Sequence, residues 1–213
     1  DDVESRGLGD VYKRQLSEYE NVSFQGFRGD IYVKEAVIPE GASVIPKSQF
    51  FECRSLEKVY LPESVSGIED YAFADCHVLK VWESIEKLSL KSVGTSAFEN
   101  CYALEFVSLP DSLTVIGGAA FAECVSVNKL IFSDTALLKK IGDHAFRGCR
   151  NLKEVYLPDS VEYVGISAFR DCVSLEQISV SEKIKDQPGI TELEKNCPNA
   201  RIRFREVNSV EKE

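Results

Sequence analysis

The stretch Ala145–Val161, AFRGCRNLKEVYLPDSV, carries the pattern on which the fold turns. Cys149 follows Phe146 by three residues, and Leu152 follows Cys149 by three. Val155 and Leu157 then alternate with Glu154 and Tyr156, which reads as a short strand with one buried face. Pro158 lacks the N–H that a strand ladder needs, so the strand ends there. What remains open within this stretch is Cys149: a reactive thiol, half of a disulfide, or a space-filling residue.

The same spacing recurs through the chain. Phe stands at 27, 50, 73, 98, 121, 146 and 169, at intervals of 23, 23, 25, 23, 25 and 23. Cys lies three residues after six of these, at 53, 76, 101, 124, 149 and 172. Leu56, Leu79, Leu104, Val127, Leu152 and Leu175 come three residues later again. Val59/Leu61, Val107/Leu109 and Val155/Leu157 repeat the alternating strand, and Pro39, Pro62, Pro110 and Pro158 repeat its stop. Between Pro and the next Phe the best copies read SVSGIEDYAF, SLTVIGGAAF and SVEYVGISAF.

A fixed period of this length means a solenoid. One coil cannot bury its apolar side alone, whereas stacked coils cover one another. In each coil S-V-x-x-I-G suits a tight turn or a short second strand. In A-F-x-x-C the Phe is expected to fill the interior, with Ala passing close to the neighbouring coil. The two 25-residue intervals place their extra residues after the strand, around Glu86-Lys87 and Thr135-Ala136, as a loop would accept them.

These A-F-x-x-C and L-P-x-S-V-x-x-I-G blocks resemble the BspA-like leucine-rich repeat family over residues 27–180. The resemblance implies an α/β repeat solenoid of about seven coils, a leucine-rich-repeat horseshoe with a parallel β-sheet on its concave face. It also implies a bacterial cell-surface or secreted protein that binds host or neighbouring-cell proteins. Two copies depart from the pattern: Asp30 replaces the first Cys, and VWESIEKLSLKSVG around Trp82 leaves the strand register open.

Composition narrows the function classes. The hydrophobic content of 44% supports a core, and the formal net charge of −10 argues against a nucleic-acid partner. No stretch is long and apolar enough for membrane insertion. There is no Met in the chain, so its first residue is not expected to be the natural start. Residues 1–15 share nothing with the repeat and resemble a translated sequencing-adapter read-through, so they are expected to stand outside the fold. Residues 16–26 are expected to form a partial cap, 181–205 a C-terminal cap, and 206–213 a disordered tail. Within that C-terminal cap, PGITELEKN reads as a short helix with Ile190 and Leu193 on one face, and ARIRF as a last edge strand.

Six cysteines hold one repeat position, and Cys197 falls 25 residues after Cys172 in NCPNARIRF, which reads as a partial final copy. A residue recurring once per coil forms an inward ladder, and buried free Cys behaves as a small hydrophobe. Neither disulfide geometry nor clustered zinc spacing is present. His77 and His144 occupy different repeat positions and read as surface residues rather than a catalytic pair. GISAF lacks the second Gly of a nucleophile elbow, and no HExxH, P-loop or GxGxxG occurs. No enzyme activity and no cofactor are expected. Arg28-Gly29-Asp30 spells an integrin-recognition tripeptide, but Arg147-Gly148 fills the same slot, so the repeat explains it. Asn21-Val22-Ser23 is a formal glycosylation sequon.

If Val and Leu of V-x-L point inward, their neighbours point out from the concave sheet. One outward row is then Glu35, Lys58, Val81, Phe106, Lys129, Glu154 and Gln177, and the other Val37, Tyr60, Glu83, Ser108, Ile131, Tyr156 and Ser179. At sheet spacing the rows make a continuous strip about 30 Å long. Lys58, Tyr60, Phe106, Ser108, Lys129, Ile131, Glu154, Tyr156 and Gln177 are the candidate protein-binding residues on a monomeric scaffold. The large residues Tyr60, Phe106, Ile131 and Tyr156 have two readings, a binding patch or lateral packing between rungs. A spacer or targeting module of a larger exported protein, one whose catalytic domain lies elsewhere, is the alternative to a binding scaffold.

Overall fold

The computed structural model describes residues 13–15, 27–83, 88–133 and 135–206, with 13–15 and 81–83 described by backbone alone. The chain is a parallel-strand solenoid of about seven turns with little helix. Three-residue strands line one face: β1 (Lys13–Gln15), β2 (Glu35–Val37), β4 (Lys58–Tyr60), β6 (Val81–Glu83), β8 (Phe106–Ser108), β10 (Lys129–Ile131) and β12 (Glu154–Tyr156). The five-residue β14 (Gln177–Ser181) and β15 (Arg201–Arg205) complete that face. Two-residue strands line another: β3 (Val44–Ile45), β5 (Gly67–Ile68), β7 (Ser92–Val93), β9 (Val115–Ile116), β11 (Lys140–Ile141) and β13 (Tyr163–Val164). The short strands form one unbroken six-stranded sheet, so S-V-x-x-I-G is a second strand rather than only a turn.

Phe rings run down the interior. From Phe50 to Phe169 successive rings stack nearly parallel, with centroids 5.1, 5.1, 5.2, 5.4 and 5.5 Å apart. Phe27 tilts by 34° at the first step. These rings, the Leu, Val and Ile of the strands, and all seven cysteines belong to one buried cluster. Burying each Phe contributes about 2–3 kcal/mol.

The arc around Phe explains the repeat's strictness. In the coil of Phe146, Ala145, Arg147 and Cys149 donate their N–H groups back to Gly142, His144 and Phe146 of the same coil. The intervening His144, Phe146 and Gly148 donate to Ile166, Ala168 and Arg170 of the next coil. Every donor of the arc is therefore used, alternately within and between coils. His144 and Gly148 achieve this with φ of 58° and 74°, in the left-handed region. The same two positions recur on either side of each core Phe from Phe50 onward, as at Tyr71 and Asp75 or Ser167 and Asp171. Non-Gly residues there cost about 1–2 kcal/mol each. The sequence does carry a signal: Gly29, Asp75, Asn100, Gly148 and Asp171, the residue types that tolerate positive φ, share the position two after Phe.

The I-G glycines form a second column with no room for a side chain. A Cβ on Gly117 would lie 2.5 Å from the carbonyl carbon of Gly94, and one on Gly142 would lie 2.5 Å from the nitrogen of Gly118. Gly189 continues the column against Gly165.

At the C-terminus Pro188–Thr191 (α1) and Leu193–Asn196 (α2) are two single turns rather than one helix, following a 3-10 turn at Glu182–Ile184. Ile184, Ile190 and Leu193 are buried against the last coil. At the other end, Lys13–Gln15, within the segment expected to stand outside the fold, pairs in parallel with β2. Main-chain pairing needs none of the repeat's side chains, so a stretch without the motif can still add a rung. The expected partial cap (16–26), the Asn21 sequon, the insertion at Glu86-Lys87 and the tail after Glu206 lie outside the described residues.

Gly117→Ala is expected to destabilise the chain by about 1–3 kcal/mol in urea unfolding, because the Gly94–Thr95 backbone of the preceding coil must move. Gly118→Ala, whose Cβ meets only the Asp143 carbonyl oxygen at 3.4 Å, is expected to stay within about 0.5 kcal/mol of wild type. Equal losses for the two would show that the glycine column is not close-packed.

Candidate functional site

The cysteines come first among residues that could carry chemistry. All seven are free and buried. Each thiol donates to the carbonyl oxygen of the Phe in the preceding coil. Cys53 reaches Phe27 at 2.7 Å, Cys76 reaches Phe50 at 3.1 Å and Cys101 reaches Phe73 at 3.3 Å. Cys124, Cys149, Cys172 and Cys197 repeat the contact with Phe98, Phe121, Phe146 and Phe169 at 3.1, 3.3, 3.2 and 3.1 Å. Burial pushes the Cys197 thiol up to about 11 and the Cys53 thiol up to about 12, and raises the other five as well. A nucleophilic cysteine needs the opposite shift. Cys149 is therefore a packing residue that also donates one hydrogen bond. Among the described residues no group of three or more His, Cys, Asp or Glu could hold a metal ion.

The histidines lie apart. His77 stacks on Tyr102 at 4.7 Å with Nε2 3.6 Å from Asp75, whereas His144 sits on the left-handed turn of a later coil. Both are half-buried rather than fully on the surface. In Arg28-Gly29-Asp30, Gly29 has the same positive φ as Gly148. Asp30 turns back to accept from the N–H groups of Tyr32 and Val33 at 2.8 and 3.2 Å. Arg28 lies 4.8 Å over the Phe51 ring.

The concave face is the remaining candidate. Lys58 and Tyr60 on β4 pair with Glu35 and Val37 on one side and with Val81 and Glu83 on the other, which settles the register around Trp82. On the second half Phe106 pairs with Lys129, Ser108 with Ile131, Lys129 with Glu154, Glu154 with Gln177, and Tyr156 with Ser179. Val59, Val107, Leu130 and Val155, the central residues of their strands, are buried, so their neighbours point outward. Phe106, Ile131 and Tyr156 are 40%, 37% and 50% exposed, while Lys58, Tyr60 and Ser108 are half-buried.

Two features depart from the expected strip. It is not continuous: β1-β2-β4-β6 and β8-β10-β12-β14-β15 are separate sheets, and β10 pairs with β12 only at Lys129 and Glu154. Both interruptions follow the strands that precede the two-residue insertions. Extra chain leaving a strand frees its end from the register that the arc imposes elsewhere. Ser179, expected in the outward row, is only 4% exposed. Arg205 covers it, donating to Ser179 Oγ at 3.1 Å, the Leu157 carbonyl at 2.6 Å and Asp159 Oδ1 at 2.7 Å. The same guanidinium lies 3.8 Å from the centre of the Tyr156 ring, a cation–π contact. Period-two alternation in RIRFR could have placed Arg205 on this face, although not its contacts.

Beside Ser108 and Ile131 an open cleft of about 470 Å³ is lined by Leu88, Leu109, Pro110 and Asp111. The Asp111 carboxylate accepts from the hydroxyls of Ser133 and, at 2.5 Å, Thr135. Those two hydroxyls, Ser133 first, hold its carboxyl below the usual range.

The sequence profile described as BspA type Leucine rich repeat region (6 copies) matches residues 20–136 and 83–197. The chain belongs to this family. Solved structures similar to this BspA-type chain include the T. pallidum leucine-rich repeat protein TpLRR, at 28% identity and a TM-score of 0.63, with 78% of this chain and 72% of that one covered. A leucine-rich repeat protein from Bacteroides ovatus shares the fold at 21% identity and a TM-score of 0.63, covering 96% and 71%. The pneumococcal vaccine antigen PcpA aligns at 27% identity and a TM-score of 0.60, over 70% of this chain and 41% of that one. No curated protein matches the sequence.

The thiol column makes the BspA-type stack alkali-sensitive. Folded thiols stay protonated above their ordinary 9.0, so their stabilisation is complete below pH 9 and is lost as pH rises toward the folded values of about 11 and 12. Each pH unit above the unfolded value costs about 1.4 kcal/mol per thiol. Urea midpoints are expected to be level between pH 7 and 8.5 and to fall steeply by pH 10. In native protein at pH 8 a thiol reagent should modify none of the seven cysteines within the time it modifies all of them in denaturant. Rapid native labelling of Cys124 or Cys149 would contradict the packing role.

Proposed function

We propose that this BspA-type repeat is a protein-binding scaffold of a bacterial surface or secreted protein, and that it engages its partner through the concave face. The observation that carries the reading is the exposure of Phe106, Ile131 and Tyr156 at positions the core does not use. Large apolar side chains amid Lys129, Glu154 and Gln177 have the composition of a protein interface. The stacked coils hold them in place before any partner arrives, so little conformational freedom is lost on binding. Likeness to a vaccine antigen supports a location reachable from outside the cell.

A spacer role has one observation of its own, that the chain matches 41% of the PcpA structure, as one repeat array within a longer protein would. The two readings separate on the concave residues, since a spacer does not need them.

The test compares beads carrying the protein with beads carrying a Phe106→Ser, Ile131→Ser, Tyr156→Ser variant, both exposed to solubilised animal extracellular proteins. Retention of a specific protein is expected to fall about tenfold or more in the variant, with unchanged circular dichroism. Undiminished retention by a folded variant would remove the concave face from the reading and favour the spacer.

A further inference from the structure

Among the described residues, the C-terminal edge of the broad sheet is unfinished in three ways at once. First, β15 is the terminal strand of its sheet and, with β14, its longest. Arg201 donates its N–H to Glu176 on the β14 side, so by alternation the N–H and C=O groups of Ile202 and Phe204 point away from the sheet. Second, Phe204 pairs with Val180, which is fully buried, and so continues an inward-facing column. Yet Phe204 is 44% exposed, because no further coil covers it among the described residues. Third, Arg201 and Arg203 project from the opposite side of β15, are exposed, and form no ion pair among the described residues.

An open edge of this kind recruits another strand. Charge decides which. Pairing two copies edge to edge in antiparallel fashion, with Ile202 and Phe204 kept on the core side, sets Arg against Arg in every register, which is unfavourable. Stacking a second copy by its N-terminal edge puts Lys13 and Gln15, which hold the register of Glu35 and Val37, into the row of the same arginines with no acidic residue to meet them. A strand whose alternate residues are acidic meets neither objection. Arg205 already shows the preference, since its guanidinium holds the Asp159 carboxylate on that same side of the strand.

We propose that the β15 edge is a docking site for an extended peptide segment with alternating acidic and apolar residues, added as a further strand. Its main chain bonds Ile202 and Phe204, its acidic side chains face Arg201 and Arg203, and its apolar side chains cover Phe204. This site adjoins the concave patch, since Arg201 pairs with Gln177, but it uses none of Phe106, Ile131 and Tyr156 and is tested independently of them.

The probe is a blocked heptapeptide, SEVEVEG, with SKVKVKG as the control, added to the full chain. Amide hydrogen exchange, read by NMR, is expected to slow at Ile202 and Phe204 with the acidic peptide only, and the effect should weaken with salt. The double reversal Arg201→Glu, Arg203→Glu is expected to weaken the acidic peptide about tenfold or more and to admit the lysine peptide. A Phe106→Ser, Ile131→Ser variant, which leaves the Tyr156–Arg205 contact in place, should bind the acidic peptide as wild type does. No slowing at millimolar peptide, or equal slowing by both peptides, overturns the proposal. So does protection of these two amides without peptide, whether it disappears when the chain is cut after Glu206 or accompanies a dimer in sedimentation.

Discussion

The carbonyl oxygen of each core phenylalanine accepts two hydrogen bonds, and the stack depends on that double contact. In the coil of Phe121, the N–H of Cys124 closes the local turn at 3.3 Å and the thiol of Cys149 arrives from the next coil at 3.3 Å. One bond shapes a coil and the other ties it to its neighbour. With the alternating donors on either side, this arc uses every N–H it has, and one inserted residue would send each donor to the wrong coil. The arc A-F-x-x-C therefore recurs without a change of length, and rings from Phe50 onward keep a spacing of 5.1 to 5.5 Å.

The broad-sheet side is under weaker constraint, and its irregularities follow. Two-residue insertions fall there, the sheet divides after β6, and β10 holds β12 by one residue pair. The narrow sheet, anchored by the close-packed glycine column, remains whole across the same coils. A scaffold that is rigid on one side and tolerant on the other can vary its displayed residues without disturbing the core. Phe106, Ile131 and Tyr156 stand on the tolerant side.

Reactivity is confined by the same packing. Thiol is the chemistry of nucleophiles and metal ligands, yet each of the seven is committed to a main-chain carbonyl and kept protonated by burial. What the described surface offers is shape, aromatic area and charge: Tyr156 under Arg205, Asp111 with its two hydroxyls, and the arginines of the final strand.

Much of this was legible in the sequence, because a solenoid converts linear period into spatial register. The Phe and Cys columns, the inward Val and Leu, the short strands and the outward row positions follow from spacing alone, since each coil repeats its predecessor's path. Three things did not follow. The thiol hydrogen bonds join residues 26 or 28 positions apart and the inter-coil N–H donors of the arc join residues 22 or 24 apart, and only their placement in space reveals them. The division of the broad sheet depends on how an insertion is absorbed, which the length of the insertion does not state. Arg205 reaches 46 residues back to Asp159 and buries Ser179, a contact no repeat encodes because it occurs once, at an end. Period determined what every coil has in common; the ends and the insertions were left to tertiary contact, where a side chain's partners come from outside its own repeat.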